Sequence, residues 1–430
     1  MELSLQYYEG ECNHYEANFF RIFLKDITLA KKITESSDEA LGSLLHEYTH
    51  YIQSITTLCG IRKTGVYLDI YLDYRIYLED NDKIHLPLKI EESFNSYNQL
   101  QELAKLDGCN QERYGAERVE IVDGEIAKAK EEYRAVKIKI LDNDGNSIDD
   151  SYKFGYLQII EGMADLIQSR INPNYVHDEV KYKVLKLICE TCYPEILEDE
   201  FKLIVICYCT LMCSNPGASF FDVLQLAKDN DSFSGLELYT FFMNGTFDNG
   251  IKPAKILADS LMHLFGYLEQ FLGYKSIYYG QIFRNISDEA MKGENLFLEK
   301  LADKNFSRPE IDELFAHYGL PYVEADYHGF FPVKENGEKY PEPPLFLAVE
   351  CLIKRLECKS KDNGNHHECP RADFCKVVDK RCQERDPRYL DMYGYECTYD
   401  QWNHPDPRCF VKIAFEYFKI SKKTFEVAIE

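Results

Sequence analysis

The strongest constraint on the fold is a segment at about residues 36–59 that reads as a helix with two unlike faces. One face is apolar and predicts burial in a core; it consists of Leu41, Leu44, Leu45, Tyr48 and Ile52. Ser36 and Glu39 fit a capping box at its start, and Gly60 is expected to end it.

The other face of this helix carries the pattern HExxH, formed by His46, Glu47 and His50. Residues four apart on a helix lie one turn apart on the same side, so both imidazoles can reach one ion. This spacing suits two corners of a zinc tetrahedron, and an adjacent acid can act as a base toward water. The alternative without a functional role is an amphipathic helix with two solvated histidines.

A second helix is predicted over about residues 152–171, with Glu161 and Asp165 one turn apart on one face. The opposite face of this helix is apolar and consists of Ile159, Ile160, Met163, Leu166 and Ile167. Buried acids are rare unless they are paired or bind metal. Glu161 is therefore a candidate for a third metal ligand. The small residues Gly162 and Ala164 would let a neighbouring helix approach closely.

HExxH followed by ExxxD on a second helix resembles the gluzincin zinc metallopeptidases, the group that includes thermolysin. The resemblance implies that His46, His50 and Glu161 hold one catalytic Zn²⁺. It implies that Glu47 is the general base and acid, and that Asp165 accepts a hydrogen bond from His46. The implied activity is hydrolysis of peptide bonds in a protein or peptide substrate.

A peptidase of this kind also needs a hydrogen-bond donor for the oxyanion that forms on the substrate. The sequence offers several downstream histidines and tyrosines but selects none of them. The candidates are His177, His263, His317, Tyr318, Tyr327 and His328.

The fifteen cysteines fall into two groups with different expectations. Those up to Cys213, including the three in the apolar run at 201–213, are expected to be core residues. In the Cys-rich C-terminal segment, four thiols could hold a second, structural zinc or an iron–sulfur cluster; they are Cys358, Cys369, Cys375 and Cys382. Packed or exposed thiols, and less readily disulfides, are the alternatives.

Composition limits the class of partner. A net charge of −24 argues against sequence-independent binding of nucleic acid and against binding to anionic membrane surfaces. The most apolar run is too short to cross a bilayer. The N-terminal residues do not read as a secretory signal, and the odd cysteine count suggests reduced thiols, so a cytoplasmic location is expected.

These patterns predict an α+β, mainly helical chain. Strands are expected at 3–8 and 18–29, before the HExxH helix, and a nearly continuous helical region at 180–304. Three units are proposed: a catalytic core at 1–175, a helical region at 176–335 and the Cys-rich segment at 336–430, with a linker near 332–344. Two functional alternatives remain: a zinc hydrolase of a non-peptide amide, and a catalytically silent, metal-stabilised binding or regulatory protein.

Overall fold

The computed structural model describes residues 13–17, 20–86, 88, 94–247, 249–273, 276–326, 328–330, 332–334, 337–357, 414, 417 and 424–427. Over these residues the fold is α+β and mainly helical, as the sequence predicts. The strand expected at 3–8 lies outside the described residues, as do the four cysteines proposed as a second metal site, Cys358, Cys369, Cys375 and Cys382.

The described helices account for most of the fold. They are α1 (Asp38–Thr56), α2 (Leu58–Asp80), α3 (Asn95–Asp107), α4 (Glu125–Glu132), α5 (Tyr156–Gln168), α6 (Val180–Cys192), α7 (Glu200–Leu211), α8 (Pro216–Asp229), α9 (Gly235–Asn244), α10 (Pro253–Leu272), α11 (Tyr278–Lys292), α12 (Leu296–Ala302), α13 (Arg308–Tyr318) and α14 (Glu342–Glu357). The helical region predicted at 180–304 is confirmed, and Pro216 and Pro253 each open a helix.

The described strands form three small sheets. The strands are β1 (His14–Glu16), β2 (Arg21–Leu24), β3 (Lys83–Leu86), β4 (Arg118–Ile121), β5 (Val136–Leu141), β6 (Ser147–Phe154), β7 (Tyr322–Ala325), β8 (His328–Phe330) and β9 (Thr424–Val427). Their orders are β1-β2-β7-β8, β3-β9 and β4-β5-β6. Strands β5 and β6 are antiparallel neighbours on either side of a turn at 143–146, where Gly145 has a φ of 82°.

The first sheet crosses the domain boundary proposed at residue 175. Strand β2 pairs in parallel with β7, in the register Arg21 to Tyr322. One continuous hydrophobic core also contains residues from both sides of that boundary. The first two proposed units therefore share a sheet and a core. Helix α14 begins at Glu342, so the end of the proposed linker belongs to a helix.

Helix α1 packs as predicted, but its ends differ from the prediction. Its five apolar residues named above are all fully buried. The N-cap is Ser37, whose hydroxyl accepts the Ala40 N–H, whereas Ser36 accepts the N–H of Ala30. The last residue of the helix is Thr56, and the next residue, Thr57, has extended backbone angles. The hydroxyl of Thr57 accepts the N–H of Gly60 and so caps the start of α2.

Gly60 therefore does not terminate α1; it lies in the first turn of α2, against the end of α1. A Cβ at Gly60 would lie 2.2 Å from the carbonyl oxygen of Gln53 and 2.5 Å from the Cα of Ser54. These are backbone atoms and cannot rotate away. The absence of a side chain at Gly60 allows the first turn of α2 to lie this close to the end of α1.

The second predicted helix is shorter than expected. Residues 147–154 form β6, and α5 starts at Tyr156. Its apolar side packs as predicted, because Ile159, Met163, Leu166 and Ile167 are all fully buried.

The helices of the described chain give no candidate for crossing a membrane: none is both long enough and apolar enough.

Gly60→Ala should lower the free energy of unfolding by at least about 2 kcal/mol, because the added methyl group overlaps backbone atoms. Gly65→Ala is the matched control in the same helix, since no atom lies within 4 Å of its Cβ position. That change should raise stability by about 0.5–1 kcal/mol. Urea denaturation measures both, and equal effects of the two substitutions would contradict this view of the α1–α2 junction.

Candidate metal centre

Helix α5 lies between α1 and α6, and small residues allow the close packing. A Cβ at Gly162 would lie 3.0 Å from the Cβ of Leu185 on α6. On the side of α1, a Cβ at Gly42 would lie 3.0 Å from the Cβ of Asn172, just beyond α5. This packing turns the polar face of α1 toward Glu161 on α5.

Three side chains from these two helices converge on one point. The Nε2 atoms of His46 and His50 lie 3.2 Å and 3.5 Å from Oε2 of Glu161. One ligand atom of each residue lies within 4.8 Å of the other two. Within the described part of the chain, this is the one group of at least three His, Cys, Asp or Glu side chains with metal-binding spacing.

The spacing of the three groups fits a zinc ion. Ligand atoms about 2.0–2.1 Å from zinc at tetrahedral angles lie about 3.3 Å from one another. The two measured separations to Glu161 fall on either side of that value. Two imidazoles and one carboxylate are also a donor set that catalytic zinc uses, with a fourth position left for water or substrate.

Burial makes these three charges strongly dependent on one another. Burial alone would raise the pKa of Glu161, but the imidazoles of His50 and His46 hold that pKa well below its usual range. Burial alone would lower the pKa of His50, but the Glu161 carboxylate outweighs it and raises the pKa to about 9. Without metal, a proton on His50 thus balances the charge that a cation would otherwise neutralise.

The second nitrogen of each histidine meets a glutamine. His46 Nδ1 lies 2.9 Å from Oε1 of Gln168, and His50 Nδ1 lies 2.8 Å from Oε1 of Gln53. Both amides are buried. Neither glutamine was predicted from the sequence. Helical spacing could have indicated them, because Gln53 follows His50 by three residues and Gln168 follows Glu161 by seven.

Asp165 does not make the hydrogen bond expected of it. Gln168 is the partner of His46 Nδ1, and Oδ1 of Asp165 instead lies 3.9 Å from Nε2 of His177. Gln168 lies three residues after Asp165, at the last position of α5. His46 lies beside this end of the helix, so its Nδ1 meets Gln168 and not Asp165. Burial raises the pKa of Asp165.

Glu47 lies beside the three converging groups in a buried position. It is 5% exposed, and burial raises the pKa of its carboxyl, although His46 and His50 partly counteract this. A raised pKa brings a carboxyl group closer to neutral pH, where it can both accept and return a proton.

Two aromatic residues flank the site on the side of α6. The ring of His177 stacks on Tyr182 with centroids 3.9 Å apart, and both rings lie within 6 Å of the His46 ring, at 5.6 Å and 5.9 Å. Burial lowers the pKa of His177 to about 4, so this imidazole is neutral at pH 7. Burial and then the Glu161 and Glu47 carboxylates raise the pKa of Tyr182, so its hydroxyl stays protonated.

Of the candidate oxyanion donors, the structure brings His177 to the metal-binding group. Tyr182 also lies there, with its ring 5.9 Å from that of His46. It was not predicted, because the sequence indicates a helix at this position but not the direction in which that helix packs. His317 and Tyr318 are bound to Glu289 instead, at 2.6 Å and 3.0 Å. Tyr327 and the side chain of His328 lie outside the described residues.

The remaining candidate, His263, lines a separate cavity of about 1070 Å³. This cavity lies among α2, α3, α8 and α10, and the first residue of α5, Tyr156, also lines it. The Lys63 ammonium lies 4.1 Å above the Tyr156 ring and is paired with Asp107. Cys213 reaches this cavity, whereas Cys207 and Cys209 are fully buried core residues as predicted.

Comparison with known proteins identifies no relative: no family model, no curated protein and no solved structure matches this chain.

The raised pKa of His50 predicts how zinc affinity changes with pH. Zinc must displace the proton that His50 holds, so apparent affinity should rise about tenfold per pH unit for one displaced proton up to about pH 9. The same proton stabilises the metal-free fold below about pH 6.5, and that contribution is lost as pH rises through about 9. Chelator competition measures the first effect and urea denaturation the second. A zinc affinity that is constant between about pH 7 and pH 9 would contradict the assignment.

Proposed function

We propose that the protein is a zinc-dependent peptidase whose ligands are His46, His50 and Glu161. The observation that supports this most directly is the convergence of the three ligand atoms beside a buried acid, Glu47. A purely structural zinc site has four protein ligands, whereas three with a neighbouring base are typical of hydrolytic sites.

Zinc, when bound, would act as a Lewis acid and lower the pKa of a water molecule. Glu47 would accept a proton from the attacking water and deliver it to the leaving amine, because burial raises the pKa of its carboxyl above the usual value. Gln53 and Gln168 would hold the two imidazoles. The same groups could hydrolyse a non-peptide amide, which is the alternative substrate class.

We assign the oxyanion donor to Tyr182 in preference to His177. The Nε2 atom of His177 lies 3.3 Å from Oε1 of Gln168, and its low pKa removes the cationic form. The Tyr182 hydroxyl remains protonated and lies near two carboxylates of the site. The stacked His177 ring would fix the direction of the tyrosine.

A binding or regulatory role is the second candidate, because the separate cavity is large enough for a small ligand. It would be favoured if the protein binds zinc, folds stably and hydrolyses nothing.

The direct test of the peptidase is cleavage of casein and a peptide library, with and without a chelator. Glu47→Gln should keep zinc and lose about 100- to 10,000-fold in rate, because the proton carrier is removed. Glu39→Gln is the matched control, an exposed acid on the same helix, and should keep full activity. Full activity in Glu47→Gln would exclude the general-base role, and zinc retained at full occupancy in His46→Ala would exclude the ligand set.

Tyr182→Phe should lower kcat about 100-fold, the typical effect of removing one oxyanion donor, while zinc affinity stays the same. Tyr175→Phe is the control, because Tyr175 also contacts the His177 ring, edge-on, but is 47% exposed. Unchanged kcat in Tyr182→Phe, or an equal loss in both variants, would contradict the assignment.

A further inference from the structure

We propose that Gln53 and Gln168 are positioning residues whose acceptor oxygens preset the metal-binding tautomer of both histidines, and that the amide N–H of Gln53 separately ties α1 to α5. This inference rests on the proposed zinc site. It concerns what makes the two imidazoles available to a metal, and so it is tested by metal binding as well as by activity.

The orientation of the Gln53 amide follows from its two partners. Its Nε2 donates to the backbone carbonyl of Ile160 at 3.1 Å, and a carbonyl can only accept. The amide oxygen must therefore face His50, at 2.8 Å from Nδ1. An oxygen can only accept as well, so Nδ1 carries a hydrogen. Once a metal displaces the second proton of the ring, the lone pair of Nε2 is on the side of Glu161.

This arrangement explains why the residue is a glutamine. Ile160 directly precedes Glu161, so one side chain links α1 to α5 beside the third ligand and also orients the second. A carboxylate could accept from His50 but could not donate to the carbonyl of Ile160. Among side chains of this length, an amide performs both tasks without placing a charge at a position that is 1% exposed.

Gln168 serves His46 in a different way. Its Oε1 lies 2.9 Å from His46 Nδ1 and 3.3 Å from His177 Nε2, so both lone pairs of one oxygen face ring nitrogens. Two N–H donors converging on one acceptor favour the same tautomer at His46, with Nε2 directed at Glu161. The same oxygen connects a ligand to the histidine that supports Tyr182.

The experiment compares zinc affinities, by competition with a chromogenic chelator, for wild type and pairs of variants at each glutamine. Gln53→Met should weaken zinc binding about 10- to 100-fold, because His50 loses the acceptor that orients it. Gln53→Glu restores the acceptor and should bind within about threefold of wild type or more tightly. It should nevertheless unfold at lower urea than wild type, because the donor to Ile160 is lost.

The opposite order would overturn the proposal. If Gln53 only ties the helices together, Gln53→Glu should bind zinc no better than Gln53→Met. The pair Gln168→Met and Gln168→Glu gives an independent test at His46, with the same expected order, and it applies if a charged residue at 53 prevents folding.

Gln158→Met is the matched control for the loss of a buried amide. Gln158 lies on α5 and is fully buried, and its amide bonds to the backbone at Cys109 and Gly155 and to the hydroxyl of Tyr152. This variant should lose stability but keep the zinc affinity of wild type. A loss of affinity equal to that of Gln53→Met would show that the effect is general loosening of the fold.

The outcomes separate this inference from the proposed function. Wild-type protein that binds no zinc contradicts both. Wild-type protein that binds zinc and cleaves peptides, together with glutamine-to-methionine variants of unchanged zinc affinity, contradicts only the positioning role.

Discussion

The structure depends on one largely buried carboxylate, that of Glu161, held between two imidazoles where α1 and α5 pack. Removing a charged Glu161 from water is costly, and the two histidines from α1 offset that cost only while the helices stay in register. Register in turn is set by close contacts at small residues and by the Gln53 bridge to Ile160. The same constraint that packs the two helices therefore also assembles the site.

On each of the two helices, one face packs against the core and the opposite face carries the residues of the site. The apolar sides of α1 and α5 belong to one continuous core. The polar sides of the two helices can therefore carry the charged and polar residues of the site without interrupting that core. Burial then adjusts those groups chemically. It raises the pKa of Glu47 and keeps His177 neutral, and together with the nearby carboxylates it raises the pKa of Tyr182.

The sequence was sufficient for features that depend on spacing along one helix. HExxH and the apolar periodicity correctly placed His46 and His50 on one face, because residue spacing fixes direction on a helix. It was insufficient where two helices meet: Gln53, Gln168 and Tyr182 matter because of how α1, α5 and α6 cross. Asp165 was expected to bond His46 by resemblance, and Gln168 does so instead. The zinc and the cysteine cluster stay predictions.

The central claim is that one metal ion binds at the meeting point of α1 and α5. The most direct measurement is anomalous X-ray diffraction, recorded on either side of the zinc absorption edge from crystals of the zinc-loaded full chain. If zinc binds there, we expect an anomalous peak within about 2.0–2.2 Å of His46 Nε2, His50 Nε2 and a carboxylate oxygen of Glu161. Zinc found only among the C-terminal cysteines, or no peak between α1 and α5, would contradict it.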